Sequence, residues 1–294
     1  MKAFAASLVQ GAPKSLALRR KAFAALACAA MATVLAARAQ DATAPFEPKS
    51  GQEGKDVMWV PTPDAVVEKM LDVAQLAPAE RLVDLGSGDG KVAIAAAKRG
   101  AIARGIEYEP RMVEYSKRMA ERAGVKVDLV QGDIFASDFS DADVVTMYLL
   151  PHLNERLRPT LLAMKPGTRV VSHSFDMGAW SSDETIYAEG RAVHFWRVPA
   201  RIGGEWQVRI GNGRGPTLRI EQSFQKFEGQ VQWGNRAGPL RDTVLRGPIV
   251  AFTLADDAGT LHRFEGVTDH DGPMTGIVTP ARGGAPRFFI ATRR

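Results

Sequence analysis

The run Asp84-Leu85-Gly86-Ser87-Gly88-Asp89-Gly90 follows a short apolar stretch and precedes a helix-like one. Glycines at such a turn let the backbone approach a ligand closely and adopt dihedrals that a Cβ would forbid. Their spacing is Gly-x-Gly-x-Gly, with Lys91 and Val92 where a dinucleotide fingerprint has a variable position and its third glycine. That departure points away from NAD, whose pyrophosphate needs the full fingerprint, and towards S-adenosyl-L-methionine. Asp84 would hold the turn or the amino-acid end of that ligand. Glu107 stands 21 residues after Gly86, at the end of the next apolar stretch, where a carboxylate can accept both ribose hydroxyls. Gly132-Asp133 follows the third stretch: Asp133 can accept from the adenine amino group, with Ile134 and Phe135 flanking the ring. The predicted cofactor contacts are therefore Asp84, Gly86, Ser87, Gly88, Gly90, Glu107, Asp133 and Ile134. The competing reading is a glycine turn beside two helix-capping acids.

Methyl transfer from a sulfonium is an in-line displacement, so alignment of nucleophile and methyl group supplies much of the rate. An amine acceptor must also lose a proton. Tyr148, His152 and Asn154 are the catalytic candidates, with His173 and Asp176 further along. Each has a structural alternative: Tyr148 as packing, His152 and Asn154 as helix-start caps. Trp59 either closes over the methionine end of the ligand or packs the first helix. His262, Asp269, His270 and Asp271 read as solvated turns rather than as a metal site.

These residues need a scaffold of alternating strands and helices. Thr62-Pro63-Asp64 is expected to start a helix, with Thr62 as cap and apolar positions from Val66 to Ala74 at helical spacing. Strands follow at 81–85, 101–107, 125–130, 143–148 and 168–174, with helices at 90–99, 110–123 and about 154–164 between them. Strands separated by single helices imply an α/β fold with a doubly wound, mostly parallel sheet. Near Gly190 the pattern changes. Val193 to Pro199 and Glu205 to Ile210, joined through Gly203-Gly204, read as an antiparallel hairpin, and no helix-like stretch follows Gly211.

The six basic residues of positions 1–39, with no acid among them, account for the chain's formal charge of +5. The remainder holds 32 basic against 33 acidic residues, so no global attraction to nucleic acid is expected. Arg19-Arg20-Lys21, the apolar run from Ala22 to Ala37 and Ala37-Arg38-Ala39 read as a secretory signal cleaved after Ala39. A periplasmic or secreted location follows. The alternative is an uncleaved inner-membrane anchor that keeps the protein near a membrane, although the run is shorter than the about 20 residues of a usual span. Cys28, the sole cysteine, lies inside the leader, so the mature chain can form neither a disulfide nor a thiolate metal site.

Arg81 to Gly90, the Gly105-Ile106-Glu107-Tyr108-Glu109-Pro110 segment and Tyr115-Ser116 resemble the seven-strand lysine methyltransferases of mitochondria and their bacterial relatives. Members of that family modify the adenine nucleotide translocase and the ATP synthase c-subunit. Met58-Trp59-Val60-Pro61-Thr62-Pro63 is similar to the Val-Pro segment ahead of the family's first helix. The resemblance covers roughly Trp59 to Trp196 and implies a seven-strand Rossmann-like sheet and a protein substrate. It also implies ligand contacts at Gly86, Gly88, Glu107 and Asp133. Tyr148-Leu149-Leu150-Pro151 matches the family's fourth-strand segment only in part, and the leader is secretory rather than mitochondrial. The expected organisation is a signal peptide (1–39), a linker (40–55), a methyltransferase domain (56–212) and a small antiparallel β appendage (213–294). Two other functions compete: an exported, non-catalytic binding module on the same fold, and aminopropyl transfer from decarboxylated adenosylmethionine.

Overall fold

The computed structural model describes residues 46–294; the leader, its cleavage site and Cys28 lie outside the described residues. A two-strand ribbon comes first, β1 (Gln52–Glu53) paired antiparallel with β2 (Met58–Trp59). Part of the expected linker is therefore structured, because main-chain bonds such as Gly51 N to Trp59 O close the ribbon.

The chain then builds a seven-stranded sheet. Its strands are β3 (Arg81–Leu85), β4 (Ile102–Glu107), β5 (Asp128–Gln131), β6 (Val144–Met147), β7 (Arg169–His173), β8 (Glu184–Ala188) and β9 (Arg191–Arg197). Their order is β5-β4-β3-β6-β7-β9-β8, with the first five parallel and β9 antiparallel to both β7 and β8. Successive strand residues point to opposite faces, and here both faces are covered. Leu82, Val144 and Val171 enter one core with helices α1 (Asp64–Val73) and α2 (Lys91–Lys98). Val83, Val145 and Val170 enter the other, which also buries Leu153, Leu157 and Leu161 of α4 (Pro151–Leu162). Helix α3 (Pro110–Arg122) packs on β4 and β5. The chain leaves β3 towards β4 on one side and reaches β6 on the other. The carboxyl end of β3 is thus the switch point where such sheets bind ligands.

Three local expectations change. Pro63, not Thr62, stands at the cap of α1, because the Thr62 hydroxyl bonds His173 Nδ1 across the core at 3.2 Å. Helix α4 starts at Pro151, so His152 and Asn154 lie inside it rather than capping it. The expected hairpin of 193–199 with 205–210 does not form: β9 completes the first sheet, while β10 (Gly204–Ile210) opens a second one. Trp206 and Ile202 explain the separation, since both are fully buried in a different core from that of Trp196.

That second sheet has nine antiparallel strands. They are β10, β11 (Gly213–Ser223), β12 (Lys226–Trp233), β13 (Arg236–Pro239), β14 (Arg241–Arg246), β15 (Ile249–Ala255), β16 (Leu261–Val267), β17 (Met274–Pro280) and β18 (Arg287–Arg293). The order runs β13-β12-β11-β10-β18-β17-β16-β15-β14, and its ends meet, β14 lying beside β12 and β15 beside β13. The appendage is therefore a barrel-like domain that begins at Gly204, ahead of the expected boundary at 213. Side chains fill it: Phe264 stacks on Phe252 at 5.1 Å and meets Phe289 edge-on at 5.0 Å. His262 is buried on β16 and bonds Asp256 Oδ2 at 2.8 Å, so it does not sit in a solvated turn; half-buried His270 lies in a bend between exposed Asp269 and Asp271, with its Nε2 2.7 Å from Met164 O.

Strands β16 and β17 face each other at Gly266 and Gly276, where a Cβ on Gly276 would lie 2.1 Å from Glu265 O. Gly276→Ala should force the strands apart and destabilise the protein by about 1–3 kcal/mol. Urea unfolding reads this directly; an unchanged midpoint would contradict the close approach.

Candidate active site

Above the carboxyl ends of β3, β4 and β6 lies a cavity of about 630 Å³. Asp84, Gly86, Ser87 and Gly88 form its floor, Glu107, Asp133 and Ile134 line one end, and Tyr148 lines the other. Gly90 is not on its wall. It stands at the N-cap of α2 and packs against α3, a Cβ there lying 2.9 Å from Ser116 Cβ.

Glu107 ties two turns together. Its Oε2 accepts from Gly88 N and its Oε1 from Glu109 N, both at 2.9 Å. A carboxylate has room for further donors, so these bonds orient it without saturating it. Gly88 has φ 51°, and a Cβ there would lie 2.6 Å from Trp59 Nε1. Trp59 thus lies over the glycine turn and lines the cavity, and its β2 position is what brings it there. This bare backbone cradle and its flanking acids fit an adenosyl ligand. Glu107 would hold the ribose, Asp133 the adenine edge, and the turn from Gly86 to Gly88 the amino-acid part.

Asp84 is buried at the centre of the sheet and accepts from Thr146 Oγ1 at 2.7 Å. Burial pushes its carboxyl up to about 7; the Thr146 bond opposes the rise, and the nearby Asp89 and Glu107 charges add to it. Burial likewise raises the neighbouring Asp89. At the far end, Asp133 pairs with Lys55 Nζ at 2.9 Å and accepts from Phe135 N, contacts that lower its pKa. Lys55 also lies 4.3 Å from the centre of the Tyr108 ring.

Among the catalytic candidates the structure brings only Tyr148 to the cavity. Its ring packs on His173 at 3.8 Å between centroids. His173 itself is buried behind Tyr148, and burial depresses its pKa to about 4, so it is neutral at physiological pH. His152 is exposed on α4 and does not line the cavity. Asn154 is fully buried beneath it, where Nδ2 donates to Ser172 Oγ, Phe175 O and Asp176 O within 3.0–3.2 Å. Both lie inside α4, which starts one turn earlier than expected, and neither is on the cavity wall. Asp176 bonds Gly178 N and is off the wall too. Residues that sequence reasoning passed over also line the cavity, chiefly Lys55, Met58, Tyr108, Met112 and Phe175. The only sequence signal for the first of these was the Met58 to Pro63 similarity three residues away.

Two outcomes follow from this geometry. Gly88→Ala places a methyl against Trp59 at a φ that costs about 1 kcal/mol for a side chain. Adenosylmethionine affinity measured by calorimetry should fall at least about tenfold. The raised Asp84 carboxyl keeps its proton in the fold between about pH 4 and 7, so its contribution to stability fades as pH rises through that window. A cationic ligand favours the ionised form, so adenosylmethionine should bind more tightly from pH 6 to 8 and release protons near pH 7. Calorimetry in buffers of different ionisation enthalpy measures that release. Asp84→Asn should abolish it, and a release that persisted in the variant would refute the assignment.

Known proteins are similar to this chain in sequence. Residues 84–184 match the ANTKMT methyltransferase domain. A protein-lysine N-methyltransferase of Saccharolobus islandicus (strain REY15A) is 41% identical over 138 residues, spanning 45% of this chain and 86% of its own length. The adenine nucleotide translocase lysine N-methyltransferase of Mus musculus is 34% identical over 160 residues, 52% of this chain and 62% of the mouse protein. A solved structure described as an RNA methyltransferase from Salinibacter ruber with S-adenosyl-L-homocysteine is 48% identical. It covers 49% of this chain and 96% of that one, with a TM-score of 0.48. The 41% identity over most of the Saccharolobus enzyme's length marks common membership: the chain belongs to the class I S-adenosylmethionine-dependent methyltransferases, alongside the protein-lysine N-methyltransferases.

Proposed function

We propose that this methyltransferase acts on a lysine side chain of a protein. The sign of the cavity carries the reading. Glu53, Asp56, Asp84, Asp89, Glu107, Glu109 and Asp133 line it, against Lys55 and Lys91. Both lysines are already paired, Lys55 with Asp133 and Lys91 with Asp64. Such a cavity draws in a cationic cofactor and an ammonium acceptor and repels phosphate.

Bound adenosylmethionine supplies an electrophilic methyl group. The chain's own residues bind and align the partners, which is where this reaction gains its rate. Leu149, Leu150, Leu153 and Phe175 give the Tyr148 end an apolar wall suited to the aliphatic stem of lysine. Tyr148, its ring tilted 34° against His173, presents that ring at this end. The surplus of lining carboxylates lowers the cost of bringing an ammonium in. The lysine methyltransferases among the relatives support the same acceptor class.

The test incubates the purified protein with methyl-labelled adenosylmethionine and, separately, with total protein and total RNA of its host. Label is expected on lysine, seen by mass spectrometry as a gain of about 14 Da per methyl, and Glu107→Ala should reduce it at least about tenfold, in line with loss of charge-assisted bonds. Label confined to RNA, or label indifferent to Glu107→Ala, would overturn the proposal.

A further inference from the structure

Besides the His270 contact with Met164 O, the barrel meets the methyltransferase sheet's flank through a tight turn. Strands β11 and β12 are joined by only two residues, Phe224 and Gln225, since Ser223 pairs with Lys226. Phe224 has φ 53°, a left-handed conformation in which the first position of a two-residue hairpin loop favours glycine. A bulky aromatic kept there at a conformational cost has its reason in what the side chain touches.

Both side chains touch the segment 174–183, which follows β7 and carries Phe175 into the cavity. The Phe224 ring stacks on Trp180 at 6.3 Å and 16°, and lies 5.9 Å from the Arg158 guanidinium. Gln225 Oε1 accepts from Trp180 Nε1 at 3.1 Å, while its Nε2 donates to Ser181 O at 2.8 Å and to Asp183 Oδ1 at 3.1 Å. From the other side α4 holds the same segment: Arg158 Nη1 donates to Met177 O, and Asn154 Nδ2 to Phe175 O and Asp176 O. Ser174, at its start, also sits at positive φ, 65°. The segment is thus a loop without regular pairing, clamped between a helix of one domain and a hairpin turn of the other.

We infer that the Phe224-Gln225 turn of the barrel is a positioning element for the acceptor: it fixes segment 174–183 so that Phe175 shapes the Tyr148 end of the cavity. The side-chain hydrogen bonds of the turn go to that segment, its ring packs on Trp180 and the core behind the Tyr148 end, and the cofactor end is built from β3, β4 and the loop after β5. Acceptor binding and cofactor binding should therefore respond differently to the turn. The inference rests on the methyl-transfer reading of the site, and the acceptor end on the lysine reading.

The test uses the full chain with Phe224→Gly, which relieves the backbone while removing the ring, and Gln225→Ala, which removes the side-chain bonds without touching φ. Expected are an adenosylmethionine Kd within about twofold of the parent and a KM for the labelled protein acceptor raised about tenfold with a smaller change in kcat. Amide hydrogen exchange in 174–183 should accelerate at least about tenfold. Exchange is read without any acceptor, so an enzyme that methylates no lysine would sink the lysine reading while exchange still decides whether the turn fixes segment 174–183. Parent-like exchange in both variants overturns the inference. So does an acceptor KM unchanged while exchange accelerates, or a loss of cofactor affinity equal to the loss of acceptor affinity, which would mark a merely structural turn.

Discussion

The carboxylate of Glu107 ties the glycine turn after β3 to the turn after β4, by accepting one main-chain bond from each. The rest of the site depends on that tie. It fixes Gly88 beneath Trp59, keeps both turns open towards the same space, and leaves a charged acceptor facing it. A neutral side chain at this position would lose the charge-assisted bonds that are roughly twice as strong as ordinary ones. The parallel register of β3 with β4, Leu85 opposite Ile106, is what brings the two turns level.

A second constraint is electrostatic. Seven acids around one cavity repel one another, and the fold manages this unevenly. Asp84 is buried and holds its proton to about pH 7, whereas Asp133, bonded by Lys55 and a main-chain N–H, is stabilised as a carboxylate. The floor of the cavity and its Asp133 end therefore differ in charge near neutrality. His173 adds no cation behind Tyr148, since burial keeps it neutral. The result is a site suited to positively charged ligands that does not itself carry a free positive charge at its apolar end.

The barrel complicates a simple division of labour. Its core is separate from the two cores of the methyltransferase sheet, yet its hairpin turn, and His270 on Met164 O, bind it to the helix and loop that back the cavity. Two domains with independent cores can still share one rigid wall when buried aromatics and paired amides bridge them. Trp180 does this, packed between Trp196 and Phe224.

Much of the site was legible in the sequence because its chemistry is local. A glycine turn after an apolar strand, and an acid at the next strand's end, follow from strand-helix periodicity and from what L-residues cannot do at positive φ. The central strands and the first three helices follow from the same periodicity. Pairing partners did not, because alternation fixes which residues face inward but not against which sheet. Thus β9 and the strand after Gly204 read as one hairpin, and the edge strand β8, with Tyr187 72% exposed, gave no pattern at all. Asn154 and His152 likewise turned on where α4 begins, which packing of Leu153, Leu157 and Leu161 decides rather than propensity. The sequence by itself determined the turn, its acids and the class of ligand they suit. Only the tertiary structure decided which of the distant residues reach the cavity, because contacts such as Trp59 on Gly88, Lys55 on Asp133 and Phe224 on Trp180 join segments whose separation along the chain carries no periodic signal.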